Sequence, residues 1–154
     1  MLTEVCDFVH NYFEYVVHNG TFEIADGTID LVGLVANGQR FRIIGSALND
    51  GIYTNHEDGI YNDDDDTSVE LVSEVFTGTI VAMAVPTAFT KLVEEIADWY
   101  EANKAILESP YMSESFGGYS YEKMGGASGR GNVKTALSWQ DVFGSKLNAY
   151  RKIA

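Results

Sequence analysis

Apolar side chains recur at helical spacing in two parts of the chain. Between residues 2 and 17 they fall three or four positions apart, which predicts a helix over 2–17 that stops at Asn19-Gly20. A second such pattern follows Pro86 and predicts a helix over 86–106, since proline is tolerated in the first turn of a helix. The predicted apolar face of this second helix comprises Phe89, Leu92, Val93, Ile96, Trp99 and Tyr100.

Between these two helices the pattern changes to short runs rich in β-branched and aromatic residues. The dipeptides Asp26-Gly27, Asn37-Gly38 and Asp50-Gly51 separate the runs and are typical of tight turns. Asn37-Gly38 lies between two apolar runs and predicts a β-hairpin, because a type I′ turn requires positive φ at both central residues. Residues 21–85 are therefore predicted to form an antiparallel β-sheet, and the predicted fold class is α+β.

Details within the sheet region follow from alternation and polarity. Phe41 and Ile43 are expected to point inward, whereas the neighbouring arginines are expected on a solvent-exposed face. Residues 56–67 are polar and predict a loop. Two further strands are predicted at 69–76 and 79–85, from their β-branched and aromatic content, although the second run also fits the first turns of a helix.

The last third of the chain has a different composition from the rest. It is rich in Gly, Ser and Tyr, with almost no periodicity before residue 138, so this segment cannot bury enough apolar surface to fold alone. Its many aromatic side chains nevertheless gain from being covered. We therefore predict a globular body, 1–106, and an extended arm, 107–154, that a partner orders. A short helix over 139–149 is expected near the end, because Ser138 and Asp141 resemble a capping box with Asp in place of Glu.

The net charge of −13 is unevenly distributed. Residues 1–104 hold 4 basic and 19 acidic side chains, a net −15, whereas residues 105–154 hold 6 basic and 4 acidic ones, a net +2. An acidic body disfavours nucleic-acid binding, because affinity for phosphates comes mostly from Lys and Arg. It attracts the basic arm of a neighbouring copy, which points to self-assembly. Taken by itself, however, the charge is better explained by solubility alone.

Composition also indicates a compartment. A single cysteine, Cys6, excludes an internal disulfide framework and suits a reducing environment. No apolar run reaches the roughly 18–20 residues that span a bilayer, and the first residues lack the basic and apolar regions of a secretory signal. We expect cytoplasmic synthesis and no membrane association.

Candidate chemistry is sparse. Cys6 and His10 are four residues apart, the spacing of a thiolate–imidazole pair or of two metal ligands. A structural zinc site takes four such ligands, however, and no second pair follows at metal spacing. A packing role for Cys6 is therefore favoured. We assign no catalytic residue, no metal site and no cofactor.

A dense carboxylate cluster lies in the predicted polar loop: Asp63, Asp64, Asp65 and Asp66. Read as a calcium loop that starts at Asn62, the sequence has Thr67 in place of the sharp-turn glycine and Ser73 in place of the bidentate glutamate. The calcium pattern fails at both diagnostic positions, so a solvated acidic loop is favoured.

Several short segments occur in an informative order. They are 38–46 (GQRFRIIGS), 48–53 (LNDGIY), 76–78 (FTG), 83–86 (MAVP), 94–99 (EEIADW), 109–111 (SPY), 115–121 (SFGGYSY), 139–140 (WQ) and 147–153 (LNAYRKI). In their order along the chain and in their local sequence they resemble the head-completion proteins, also called head–tail connectors or adaptors, of long-tailed bacteriophages and prophages. The segments cover most of residues 38–153, and none is a catalytic signature.

The resemblance implies a structural virion protein and not an enzyme. Members of this family form a ring, commonly of twelve copies, that docks on the portal protein at the capsid vertex. The ring connects the head to the next neck or tail-completion protein, and DNA passes through it without specific binding. A location in the virion neck is implied, after synthesis in the host bacterium. The family core is a small helical bundle, from which the β-rich segment 21–85 departs.

The predicted interface combines the aromatic side chains of the arm with the basic end that, by analogy, contacts the portal or the neighbouring subunit. Its residues are Tyr111, Phe116, Tyr119, Tyr121, Trp139, Phe143, Tyr150, Arg151 and Lys152. The acidic loop at residues 63–66 is expected to be solvated or to face the DNA channel, where like charge prevents sticking.

Two alternatives remain open at this point. One is an acidic protein that mimics DNA and inhibits a nucleic-acid-binding enzyme, which requires carboxylates spaced like phosphates along one face. The other is a small enzyme or cation-binding module that uses Cys6 and His10, or the carboxylates of residues 63–66.

Overall fold

The computed structural model describes residues 1–63, 67–107 and 138–153, and their contacts divide into two compact units. The sheet unit comprises residues 2–7 and 11–87, and the described part of the helical unit comprises residues 1, 8–10, 88–107 and 138–153. The elements are α1 (Leu2–Val9), β1 (Glu14–Ala25), β2 (Thr28–Ile29), β3 (Arg40–Ile44), β4 (Gly51–His56), β5 (Gly59–Asn62), β6 (Ser68–Val69), β7 (Glu74–Met83), α2 (Thr87–Leu107), α3 (Trp139–Leu147) and a 3₁₀ turn (Asn148–Tyr150).

The seven strands form one antiparallel sheet in the order β2-β1-β7-β3-β4-β5-β6. The longest ladder joins β1 to β7: Glu14 lies opposite Met83 and, after a register shift at Tyr15, the pairing is continuous from Val16 opposite Ala82 to Ile24 opposite Glu74. The sheet curls, so that one face encloses the core of the unit. The buried core residues are Ile24, Ile29, Leu31, Val35, Phe41, Ile43, Ile60, Leu71, Phe76, Ile80 and Ala82.

A close approach of two backbones fixes β7 beside the end of β3. A Cβ atom built on Gly78 would lie 2.3 Å from the carbonyl oxygen of Ile44, far inside the contact distance. Gly45, which follows β3, has a φ of 93° and faces the Cα of Gly78. Only glycine fits at both positions, because one lacks space for a side chain and the other has a left-handed backbone.

The helical unit packs α2 with α3 and the 3₁₀ turn. Helix α2 buries Phe89, Leu92, Val93 and Ile96, and α3 buries Trp139, Phe143 and Leu147. The rings of Trp99 and Phe143 meet edge to face with centroids 6.2 Å apart, and those of Phe89 and Tyr150 with centroids 5.0 Å apart. Such pairs stabilise beyond their buried area.

The main features of the sequence prediction are confirmed. The class is α+β with an antiparallel sheet, and the helix predicted at 86–106 is α2. Phe41 and Ile43 are buried in the core, as the alternation indicated. Ser138 caps α3: its Oγ accepts a hydrogen bond from the Asp141 amide at 3.2 Å and donates one to Asp141 Oδ2 at 2.8 Å.

The predicted helix over 2–17 is wrong beyond residue 9. The amide of Asn11 bonds back to the carbonyl oxygen of Cys6, and His10 takes a φ of 54°, which together end α1 as a Schellman motif. Strand β1 starts at Glu14 and runs through Asn19-Gly20, so that dipeptide is not a helix stop. The β-branched residues that follow Tyr15 pair with β7, and this tertiary pairing overrides the helical spacing.

The predicted hairpin at Asn37-Gly38 is also wrong. No strand precedes this dipeptide within residues 31–39, and β3 pairs with β4 and β7 instead. The tight Asp-Gly hairpin joins β1 to β2, where Asp26 and Gly27 have φ values of 55° and 78°. Both angles are positive, as a type I′ turn requires.

Two boundaries in the second half of the sheet need correction. The predicted loop at 56–67 contains β5, which pairs with β4 across the turn at Glu57-Asp58. The strands predicted at 69–76 and 79–85 are the short β6 and the single long β7, which passes through Gly78 without a break. Alternating polarity does not reveal that glycine can sit inside a strand where another backbone approaches.

The extended arm predicted at 107–154 needs partial correction. Residues 138–153 fold into the helical unit, whereas 108–137 lie outside the described residues.

We expect Gly78→Ala to lower the free energy of unfolding by about 3 kcal/mol, because the new methyl group forces the backbones of β3 and β7 apart. Gly144→Ala is the matched control, since a Cβ there meets nothing within 4 Å and alanine favours the helix by about 0.5–1 kcal/mol. Urea unfolding monitored by circular dichroism measures both. Equal stability of the two variants would contradict the close approach.

Candidate functional site

Asp63, the first residue of the acidic cluster, forms an ion pair within the sheet unit. Its Oδ1 lies 2.5 Å from Arg40 Nε and accepts a hydrogen bond from Thr54 Oγ1 at 3.3 Å. The Asp63 side chain is only 6% exposed, so the prediction of a solvated carboxylate is wrong at this residue. Asp64, Asp65 and Asp66 lie outside the described residues.

The two arginines of β3 are half-buried, and the prediction of a fully wet face for them is wrong. Arg40 pairs with Asp63, and the guanidinium carbon of Arg42 lies 3.7 Å from the ring centroid of Tyr12. A guanidinium over an aromatic face is held by the ring quadrupole. Strand alternation indicates the side of the sheet that a residue occupies but not what covers that side.

Cys6 is a structural residue. The thiol is fully buried, and burial is the main cause that raises its pKa to about 12, with Asp63 and Asp7 adding to the effect against Arg42 and Arg40. A protonated thiol is neither a nucleophile nor a metal ligand. Within residues 1–63, 67–107 and 138–153, no group of three or more His, Cys, Asp or Glu side chains could hold a metal ion.

A buried polar network, not recognised from the sequence, organises the turn between β3 and β4. Ser46 Oγ donates to Glu74 Oε1 and accepts the amide of Asn49 at 2.8 Å. Asn49 makes two bonds to Val72, from Nδ2 to the carbonyl oxygen at 2.9 Å and from the Val72 amide to Oδ1 at 2.7 Å. The network ties this turn to the chain that leads into β7. The segment LNDGIY is a turn signal, but its partners lie more than twenty residues away.

Three aromatic residues of the predicted interface are covered within the helical unit. Trp139 and Phe143 are buried, and the Trp139 ring lies 5.5 Å from that of Phe8. Tyr150 packs on Phe89. Their own chain therefore supplies the cover that the sequence argument expected from a partner.

The basic end also contacts its own chain. Arg151 Nη1 donates to the carbonyl oxygen of Phe8 at 3.0 Å, and its guanidinium carbon lies 4.6 Å from the Phe8 ring centroid. The Lys152 amide donates to the carbonyl oxygen of Val9 at 2.9 Å. The remaining predicted interface residues, Tyr111, Phe116, Tyr119 and Tyr121, lie outside the described residues.

The most distinctive surface of the sheet unit is the outer edge of β1. Strand β2 pairs only with Ile24 and Ala25, and no described strand pairs with the outer edge between residues 14 and 23. Tyr15, Val16 and Val17 are exposed by 71%, 40% and 47% at one end of this edge. Consecutive strand residues face opposite sides, so apolar surface is exposed on both faces here.

Comparisons with known proteins give no match: no family model, no curated protein and no solved structure resembles this chain. The described helices offer no segment with the length and apolar character needed to cross a bilayer. The site must therefore be interpreted from its own geometry.

The pKa of Cys6 predicts a thiol that does not react in the folded protein. Ellman's reagent at pH 8 should label Cys6 only after denaturation. Because the folded pKa is raised, the stability that Cys6 contributes is present below its unfolded pKa near 9 and is lost as the pH rises towards about 12. Cys6→Ser should therefore unfold with a weaker pH dependence above pH 9. Rapid labelling of the native protein would contradict this assignment.

Phe143 and Val142 are adjacent in α3 and distinguish a core role from an interface role. Phe143→Ala should lower the free energy of unfolding of the monomer by about 3–5 kcal/mol, since it leaves a cavity beside Trp99. Val142→Ala, at a side chain 42% exposed, should change it by less than about 1 kcal/mol. If Phe143→Ala left monomer stability unchanged and only weakened association, Phe143 would be an interface residue.

Proposed function

We propose that this protein is a structural adaptor that assembles into a ring at the head–tail junction of a long-tailed phage. In this role it docks on the portal protein and connects it to the next neck or tail-completion protein. The observation that carries the proposal is the open edge of β1, since it favours a protein built for assembly.

An edge of this kind is costly in a protein that stays monomeric. Unpaired amide and carbonyl groups along a strand are a template for another strand, and natural proteins block them with lysine, proline or a covering element. Between Glu14 and Glu23 the strand contains no Lys, Arg, Asp or Glu and no proline. Its one irregularity lies at its start, between Glu14 and Val16. If another strand pairs with this edge in an assembly, the backbone groups are satisfied and uncontrolled pairing is prevented.

The segments that carry the family resemblance have structural roles in this fold. Ser46 and Asn49 form the buried network, and Gly45 and Gly78 allow the approach of two backbones. Residues of this kind define a scaffold and not a reaction centre. They are compatible with the structural role that the resemblance implies, although the seven-stranded sheet differs from the small helical bundle of that family.

Electrostatics suit a protein around a DNA channel. Arg40 and Arg42 are the only Lys or Arg residues between residues 2 and 87, and both are half-buried with partners. The described sheet unit therefore presents no lysine to a DNA phosphate, and both of its arginines already have partners within the chain. Non-specific affinity for DNA depends on such contacts, so DNA would slide past this surface without being held.

The interface expected for the ring is narrower than the sequence alone indicated. Since Trp139, Phe143 and Tyr150 are covered by their own chain, contacts to the portal or to a neighbour are assigned to the aromatic residues of segment 108–137. Removing everything after Leu107 would also expose the helical core, so it is an unsuitable test.

The test uses the full-length chain and a portal protein from the same genome, imaged together by negative-stain electron microscopy. We expect a ring of the chain docked on the portal. A variant with Tyr111, Phe116, Tyr119 and Tyr121 changed to serine should retain its unfolding curve but lose the docked ring, because aromatic side chains dominate interface energetics.

Val32→Ser is the control, at an exposed apolar side chain in the sheet unit. It should assemble as the wild type does. If the wild-type chain neither forms a ring nor binds the portal, the adaptor proposal is wrong. Potent inhibition of a nuclease by the same preparation would favour the DNA mimic instead.

A further inference from the structure

We propose that residues 111–123 of a second copy of this chain add a strand to the open edge of β1, along residues 15–22. This inference rests on the ring assembly proposed above and identifies the surface through which neighbouring copies interlock. It makes β1, an edge strand in the single chain, an internal strand of the assembled protein.

The edge has the properties that strand addition requires. Its outer backbone groups have no partner among the described strands, and its eight residues from Tyr15 to Phe22 carry no Lys, Arg, Asp or Glu. Strand addition obtains affinity from main-chain hydrogen bonds and specificity from alternate side chains. Tyr15, Val16 and Val17 supply exposed side chains for such contacts.

The β1 strand of a second copy is a poor occupant of this edge. Symmetric pairing of two β1 edges would bring together two bodies that each carry a net charge of −15 over residues 1–104. With the two-fold axis at the centre of the strand, Glu14 of one copy would also lie opposite Glu23 of the other. Like charges directly opposite each other destabilise a strand pair.

Residues 111–123 have the matching chemistry. Tyr119 and Tyr121 alternate with Ser120 and Gly118, so as a strand they present two aromatic rings on one face. Aromatic side chains opposite β-branched ones are favourable cross-strand pairs, and whichever face the tyrosines occupy, either Val16 or Val17 offers one. The segment itself holds Glu114, Glu122 and Lys123, a net charge of −1, so it brings far less negative charge to the edge than a second body would, and residues 105–154 as a whole carry +2.

The chain between the two helices is long enough to reach a neighbour. Residues 108–137 are thirty residues that leave α2 at Leu107 and return to α3 at Ser138. Fully extended they span about 100 Å, so a loop that leaves and returns reaches about 50 Å. A compact domain of this size has a radius of gyration of about 15 Å and is therefore about 40 Å across. The reach of the loop exceeds that diameter.

The pairing is tested by crosslinking between two full-length variants. Val17→Cys places a thiol on the edge, and Ser120→Cys places one in the segment. Mixed in equal amounts with the portal and treated with a short bismaleimide, the two variants should give a crosslinked pair, located by mass spectrometry. The chain without added cysteine is the background, since Cys6 is buried. Replacing Val17→Cys by Val32→Cys, on an exposed turn, should lower the yield about tenfold.

A second pair of variants tests whether the contact is made at the edge of β1 or on a face of the sheet. Val17→Lys blocks the open edge, whereas Val75→Lys places the same charge on an exposed side chain of β7, on the other side of β1 from that edge. Here one chain carries Ser120→Cys and the other carries Thr21→Cys. Adding Val17→Lys to the Thr21→Cys chain should lower the yield of the crosslinked pair about tenfold, whereas adding Val75→Lys to that chain should lower it less than about twofold. Both variants should keep the wild-type unfolding midpoint, and equal losses of yield would place the contact on the face and overturn strand addition.

Other occupants give different products. Crosslinks between two Val17→Cys chains would show β1 paired with β1, and an intramolecular crosslink in a dilute Val17→Cys/Ser120→Cys chain would show the segment on its own body. Either result, or a crosslink from Ser120→Cys to the portal alone, overturns the inference. A docked ring without the edge crosslink leaves the adaptor role intact and refutes the pairing. The crosslink without any ring supports the pairing and refutes the adaptor role.

Discussion

The ladder between β1 and β7 is the interaction on which the sheet unit depends. Ten residue pairs join two segments about 50 to 70 positions apart, and β7 then pairs with β3 on its other side. Closing so long a loop costs conformational entropy that local contacts do not offset. The ladder therefore forms only together with the core of Ile24, Phe76 and Ile80, which lies on one face of the same two strands.

This dependence on distant pairing explains where sequence reasoning succeeded and where it failed. Helix α2 was predicted because its apolar period lies entirely within its own residues. Residues 10–17 were assigned to a helix because valines and tyrosines there fit a helical spacing, and nothing local reveals the partner strand. Similarly, Gly78 lies between the two strands that the sequence predicts, although its role is to admit the carbonyl group of Ile44. A local pattern cannot reveal a neighbouring strand that is about 30 to 70 residues away in the sequence.

The candidate site was predicted in part for the same reason. The composition of the last third indicated aromatic side chains that must be covered. It did not distinguish whether their own chain or a partner covers them. Trp139 and Phe143 follow a capped helix start and pack within the helical unit. The edge of β1 was missed altogether, because it exists only once β7 has taken the other side of the strand.

The acidic charge of the body and the open edge of β1 both favour an interface made by uncharged backbone groups. The proposed ring would bring together bodies that each carry −15, and at physiological ionic strength such repulsion acts over about 8 Å. Salt bridges across the sheet unit cannot offset it, because both arginines of that unit are already engaged within the chain. A contact made by neutral backbone groups needs no such pairs. The uncharged stretch of β1 is thus the part of this acidic surface best suited to contact another copy.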